Sequence, residues 1–126
     1  MALGKIKADT LEHSTAGSLD TQYVVQGSAK AWVNLDGTAS GATARDSFNV
    51  ASMTDNGTGQ YTATFTNNMN NDDYAHSVTP RGSTVVFGSI RDGSYATSTF
   101  GAYIFNTSSG LADATYVTML LQGELA

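Results

Sequence analysis

Short runs of alternating apolar and polar residues fill the chain from Tyr23 onward. The cleanest run is Gln60 to Thr66, in which Tyr61, Ala63 and Phe65 alternate with threonines. Alternation with a period of two is typical of a strand with one buried face. The runs are separated by glycine and polar clusters at the spacing expected of a β-sandwich or barrel.

These runs predict about eight strands and no helix. The predicted strands are a first run from Tyr23 to Gly27, Lys30 to Leu35, a run through Phe48 and Val50 that ends at Asp55, Gln60 to Thr66, Tyr74 to Thr79, Ser83 to Ile90, Tyr95 to Phe105 and Ala114 to Gln122. The segment Asp55 to Gly59 contains Asn-Gly, whose tolerance of positive φ predicts a hairpin turn. Pro80 and Gly82 are expected to end the fifth run, because proline cannot donate to a strand ladder.

The pattern therefore predicts an all-β fold, specifically an antiparallel, jelly-roll-like β-sandwich with an extended N-terminal arm. We expect residues 1–21 to form the arm and residues 22–126 to form the β-sandwich knob. The predicted core consists of the large apolar residues of the runs: Trp32, Phe48, Val50, Tyr61, Phe65, Val86, Phe100, Ile104, Val117 and Met119.

The arm has too few apolar residues to define a buried face. Ile6, Leu11 and Leu19 stand isolated among polar residues. One interpretation is a loose chain end. The other is an attachment segment that orders on a partner and buries Ile6 and Leu11 there.

The amino-acid composition favours strands over helices and argues against nucleic-acid partners and membrane insertion. The chain has 17 Thr, 13 Ser and 13 Gly but three Lys, three Arg and two Glu, whereas helices are rich in the long charged residues. Six basic residues against eleven acidic ones cannot supply the positive field that nucleic acid requires, so we expect no nucleic-acid partner. No apolar stretch approaches the roughly 20 residues that cross a bilayer, so we expect no membrane insertion.

Few side chains suggest catalysis. His13 lies in the arm, and His76 is in phase with apolar positions of a predicted strand, where a core-edge or surface residue is expected. Asp72 and Asp73 are adjacent, and adjacent carboxylates on an extended chain point apart, which makes a poor acid–base pair. With no cysteine, thiolate chemistry is also excluded. We predict no catalytic residue, no cofactor and no metal. The oxygen-rich cluster from Asn70 to Asp73 leaves a hard cation as an alternative.

Two stretches carry a resemblance to a known family. Residues 28–38 read SAKAWVNLDGT, and residues 44–66 read ARDSFNVASMTDNGTGQYTATFT. They resemble a β-rich module at the C-terminal end of bacteriophage tail-fibre proteins, especially those of phages of marine bacteria and cyanobacteria. The opening GKIKADTL of residues 4–11 is similar to the lead-in before such modules. The similarity covers Leu3 to Thr66 and, more loosely, Asp113 to Gln122, while Asn67 to His76 departs from it.

The resemblance implies a virion protein of the phage tail or capsid surface. It implies a homotrimer whose N-terminal arm binds other virion proteins and whose knob binds a host surface glycan or protein. A physical argument also favours oligomers, since Tyr95 to Phe105 and Ala114 to Gln122 carry apolar residues on both faces, and surplus apolar surface favours a partner. The alternative is a capsid-decorating or connector fibre protein that binds only other virion proteins. A glycan depolymerase is a third possibility.

Recognition is expected on loops that a rigid scaffold holds. Three loops are candidates: Asn67 to Asp73, Arg91 to Tyr95 and Asn106 to Gly110. Within them, the candidate receptor-binding residues are Asn70, Asn71, Asp72, Asp73, Tyr74, Arg91, Asp92 and Tyr95, with Tyr74 and Tyr95 as aromatic platforms. Strand order, which the sequence leaves open, decides which loops share an end.

Overall fold

In the computed structural model, alternating side chains from four strands meet between two sheets. The structure describes Gly4 and residues 7–108 and 110–126. A β-hairpin and one short helix precede the sandwich in this part of the chain. The hairpin consists of β1 (Thr10–His13) and β2 (Gly17–Asp20), and the helix is α1 (Thr21–Gly27). The sandwich strands are β3 (Ala29–Asp36), β4 (Thr43–Phe48), β5 (Val50–Gly57), β6 (Gln60–Phe65), β7 (Ala75–Arg81), β8 (Val86–Ile90), β9 (Thr99–Asn106), β10 (Gly110–Leu111) and β11 (Tyr116–Gln122).

Both sheets of the sandwich are antiparallel. The first has the order β4-β3-β11-β7. In the second, β5, β6, β9 and β8 are neighbours in that order, and the two-residue β10 pairs with the end of β9. The chain crosses from β7 in the first sheet to β8 and β9 in the second, and β11 returns to lie beside β7. The fold is thus the predicted antiparallel β-sandwich.

The core lies between the central strand pairs β3–β11 and β6–β9. Its fully buried side chains include every second residue of these strands: Ala31, Val33, Leu35, Val117, Met119, Leu121, Tyr61, Ala63, Phe100, Ala102 and Ile104. The predicted core positions Tyr61, Phe65, Phe100, Ile104, Val117 and Met119 are confirmed. Val50 and Val86 are partly buried and pack against this core.

Two predicted core residues, Trp32 and Phe48, lie on the outer face of the first sheet instead. They are directly opposite each other across β3 and β4, and Phe48 is 53% exposed. The sequence predicts one continuous strand through Phe48 and Val50. In the structure the chain instead turns from one sheet to the other at Asn49, whose φ is +56°. Asn49 tolerates this left-handed conformation, and its side-chain amide donates to the carbonyls of Lys30 and Asn67. Phe48 therefore faces outward while Val50 faces the core.

Other boundaries also differ from the expected ones. The run from Tyr23 to Gly27 forms α1 rather than a strand, since three consecutive apolar residues have no period that separates the two structures. The expected strand from Tyr95 begins only at Thr99, because residues 95–98 fold back in a turn closed by the Ala96 N–H and the Thr99 carbonyl. Pro80, which was expected to end this strand, lies inside β7. Because β7 is an edge strand, the proline nitrogen does not have to donate a hydrogen bond to a neighbouring strand.

We expect Phe100→Ala to lower the free energy of unfolding by about 3–5 kcal/mol, because a fully buried ring leaves a cavity. The matched change Phe87→Ala removes a ring that is 51% exposed and should cost about 1 kcal/mol, mainly its stacking on Phe105. Urea unfolding followed by fluorescence measures both. Equal losses would contradict the assignment of faces.

Candidate functional site

The strand directions sort the loops into two ends of the sandwich. Residues 66–74, 91–98 and 123–126 meet where α1 enters β3, and we call this the arm end. Backbone hydrogen bonds join them, including those from Met69 to Thr97 and from Asn70 to Glu124. The loops 37–42, 58–59, 82–85 and 112–115 lie at the opposite end of the strands, which we call the distal end.

Two of the three predicted recognition loops lie together at the arm end. The loop from Asn67 to Asp73 contacts the loop from Arg91 to Tyr95, since the Tyr95 hydroxyl donates to the Tyr74 carbonyl over 2.6 Å. Of the third loop, residues 106–108 and 110 are described, and they lie at the distal end, where β9 ends and β10 begins. Glu124 at this arm end also accepts a hydrogen bond from Gln26 of α1, so the helix that follows the predicted arm lies beside the loops of the arm end.

Neither of the two expected aromatic platforms, Tyr74 and Tyr95, is fully exposed. Tyr74 is 4% exposed, and its ring lies 4.6 Å from that of Tyr95 and edge-on to Phe65 and Phe100. Burial raises the pKa of the Tyr74 hydroxyl, which lies within hydrogen-bond distance of the Ala96 and Thr99 carbonyls. Tyr74 therefore offers no ring face to a ligand, and Tyr95 is only partly exposed.

The remaining candidate residues of these loops are mostly exposed. Asn70, Asn71, Asp72, Asp73 and Asp92 all face solvent. Burial raises the pKa of the Tyr95 hydroxyl, and the nearby negative charges of Asp72 and Asp73 raise it further. These two carboxylates therefore lie close to the Tyr95 side chain.

Arg91 differs from its exposed neighbours in this loop. Its guanidinium donates to the Ser94 hydroxyl and lies 5.9 Å from the centre of the Tyr103 ring. No group of three or more His, Asp or Glu side chains that could hold a metal ion occurs in the described ranges.

The two predicted attachment residues have different outcomes. Ile6 lies outside the described residues. Leu11, on β1, is 50% exposed and faces an open groove of about 520 Å³ that Val24 and Val25 of α1 also line. No helix within the described ranges has the length and apolar character needed to cross a bilayer.

The outer face of the first sheet carries an unexpected row of apolar side chains. Phe48, Trp32 and Leu120 are successive neighbours across β4, β3 and β11, and we call them the apolar row. Phe48 is 53% and Leu120 38% exposed. A solvated sheet face is normally polar, so these contiguous apolar side chains depart from the usual pattern.

A second feature of this face lies further along β11, toward the distal end. Tyr116 lies beneath two guanidinium groups, with Arg45 at 4.2 Å and Arg81 at 5.3 Å from the ring centre. Arg45 also pairs with Asp36 and donates to the carbonyls of Leu35 and Thr115. Hydrogen bonds from Thr38, together with Arg45, lower the pKa of the Asp36 carboxyl.

Tyr116, Arg45 and Arg81 were not among the candidate residues predicted from the sequence. The outward orientation of Tyr116 follows from the alternation of the last predicted strand, in which Val117 faces inward. The two arginines come from β4 and β7, which lie on either side of the β3–β11 pair, and only the strand order brings them to one ring.

The distal end is held by a partly buried hydrogen-bond network. The Tyr61 hydroxyl lies 2.9 Å from the Gly37 carbonyl and 2.8 Å from the Asp113 carboxylate. The same carboxylate oxygen accepts the Gly59 N–H. Three distal loops are therefore tied to one core side chain.

Comparison of the chain with protein-family models, with curated proteins and with solved structures found no match. The resemblance to tail-fibre modules therefore stays a prediction.

We expect Tyr95→Phe to lower the free energy of unfolding by about 0.5–1.5 kcal/mol, because it removes the hydrogen bond to the Tyr74 carbonyl and keeps the ring stacking. The exposed control Asp92→Asn should leave stability unchanged. Thermal and urea unfolding measure both variants. If Tyr95→Phe unfolded like the control, the structural role of this hydroxyl would be wrong.

Proposed function

We propose that this chain is a structural virion protein, the knob of a bacteriophage tail fibre. Its N-terminal arm attaches to another virion protein, and its β-sandwich adsorbs to the host cell surface as part of a homotrimer. This proposal rests on the resemblance of residues 28–38 and 44–66 to tail-fibre modules and on three features of the structure.

The observation that carries the proposal is the incomplete packing of the arm. Residues 7–20 are all exposed, and Leu11 pairs with Leu19 across a hairpin that has no third strand among the described residues. A two-stranded hairpin without a covered face is marginally stable in water. A partner that covers Leu11, Val24 and Val25 would complete this unit, which supports attachment through the arm.

The second feature is the position of the arm relative to the loops. An arm-bound knob turns its arm end toward the virion and its distal end away from it. In this proposal the distal end, including the loop from Asn106 to Gly110, contacts the host. The exposed acids Asp72, Asp73 and Asp92 then flank the attachment site rather than the receptor.

The third feature is the apolar row, which supports the homotrimer. Phe48 and Leu120 are exposed and Trp32 between them is partly exposed, and their burial against another copy would remove this surface from water.

Attachment is tested with Leu11→Ser combined with Val24→Ser. We expect the variant to keep its melting temperature, because both side chains are more than 40% exposed, and to be lost from purified phage particles. The control Val85→Ser removes a side chain that is 69% exposed at the distal end and should be incorporated normally. Quantitative immunoblotting of the particles gives the readout, and full incorporation of the double variant would refute arm-mediated attachment.

Antibody labelling of the same particles separates the two virion functions. Label at the tail tip, together with inhibition of host adsorption by the antibody, supports the knob. Label on the capsid without such inhibition supports the decorating or connector protein instead. Particles without any label would exclude both.

The oligomeric state is tested by sedimentation at micromolar concentration. We expect a trimer for the natural chain and dissociation toward monomers for Phe48→Ser combined with Leu120→Ser. Phe87→Ser, which removes an equally exposed ring from the other sheet, is the matched control. A natural chain that sediments as a stable monomer would contradict the trimer.

A further inference from the structure

Positive charge is scarce in this chain and is concentrated at one distal position. There are six basic residues and a net charge of -5, yet two of the three arginines flank Tyr116. Tyr116 lies four residues before Leu120 on β11, so this position is about 14 Å from the apolar row at roughly 3.4 Å per residue. The two features are therefore separate surfaces of one sheet.

The two arginines have different roles. Arg45 is held in place by the Asp36 carboxylate and the carbonyls of Leu35 and Thr115, which use much of its hydrogen-bonding capacity. Arg81 is exposed, and its guanidinium has no hydrogen-bond or ion-pair partner among the residues that the structure describes. Its guanidinium carbon lies 5.3 Å from the centre of the Tyr116 ring, a contact that uses none of its N–H groups, so these remain available to a ligand.

Arg81 borders a shallow depression of about 230 Å³, lined also by Gly82, Ser83, Thr115 and Tyr116. None of these residues is acidic. The side-chain hydroxyls of Ser83 and Thr115 and the backbone N–H groups of Gly82 and Ser83 have no protein partner among the described residues. The depression is smaller than the roughly 300 Å³ at which pockets for drug-sized ligands begin. Its size therefore limits a ligand to about one small polar ring.

These groups define the chemistry of a ligand. A guanidinium with free N–H groups binds a carboxylate or sulfate bidentately. Hydroxyls and backbone N–H groups at the same site pair with the hydroxyls of a sugar. Because Arg45 and Arg81 already lie against the Tyr116 ring, the ring orients the cation rather than stacking on the sugar.

We propose that Arg81, oriented by Tyr116 and joined by Ser83 and Thr115, binds the oxyanion group of an acidic sugar at the distal end of the sandwich. This inference rests on the proposed function, in which the distal end faces the host surface. The Arg81 site would make the contact between the distal end and the host surface specific to carboxylated or sulfated polysaccharide.

The test titrates the ¹⁵N-labelled full-length protein with four small probes and follows amide shifts. The probes are D-galacturonate, D-galactose 6-sulfate, neutral D-galactose and inorganic sulfate. We expect saturable shifts at Gly82, Ser83, Thr115 and Tyr116 with one or both acidic sugars, at least tenfold weaker binding of galactose, and no equivalent saturation with inorganic sulfate. The preferred acidic sugar distinguishes the carboxylate from the sulfate as the recognised group.

Three variants make the assignment specific. Arg81→Gln should weaken binding of the preferred acidic sugar at least tenfold, and Arg81→Lys, which keeps the charge but loses the planar donor pair, should give an intermediate affinity. Lys7→Gln removes an equal charge from the arm and should leave binding unchanged. The amide spectra report the fold of each variant in the same experiment.

Equal binding of galactose and the acidic sugars, equal binding of inorganic sulfate, or unchanged binding by Arg81→Gln would each overturn the proposal. Incorporation into particles is measured independently of this titration. A protein that attaches to virions yet shows no shift with either acidic sugar refutes the sugar site and leaves the proposed function standing.

Discussion

The face-to-face packing of β3–β11 on β6–β9 is the constraint on which the rest of the structure depends. The chain has no disulfide, so stability rests on the apolar side chains that these four central strands bury between them. Successive residues of a strand point to opposite faces. Once Val33, Met119 and Phe100 face the core, Trp32 and Leu120 must therefore face outward. The apolar row and the arginine pair on Tyr116 are both consequences of this register.

The corner at Asn49 connects that constraint to the surface chemistry. It transfers the chain from one sheet to the other and reverses which face the next residue occupies, so Phe48 faces solvent and Val50 packs toward the core. Its side chain accepts the backbone N–H of Asn67 and donates to that residue's carbonyl. The corner thereby also anchors the start of the loop that ends at Tyr74.

The two ends of the sandwich differ in how they are held. At the distal end, Tyr61 and Asp113 tie three loops to the core, which suits a surface that presents fixed groups to a ligand. At the arm end, the contacts between α1 and the sandwich include those from Gln26 to Glu124 and from Gln122 to the Gly27 carbonyl. These polar contacts leave Leu11 on β1 and Val24 and Val25 on α1 exposed, which supports the proposal that a partner covers them.

The sequence by itself determined the fold class, most of the core, and the strands predicted from Gln60 to Thr66 and from Ala114 to Gln122, which the structure has at Gln60–Phe65 and Tyr116–Gln122, because alternation with a period of two is a local property of the chain. It also predicted the hairpin after Asp55, where Gly57 and Gly59 both have positive φ. Only the tertiary structure decided that the face of β3 with Val33, rather than the face with Trp32, packs in the core, that Phe48 faces outward, that Tyr74 is buried, and that Arg45 and Arg81 meet at Tyr116. The choice of face on β3 depends on which side the second sheet covers, and the position of Phe48 depends on the corner at Asn49. The other two depend on contacts between residues far apart in the sequence, which leave no periodic signal in it.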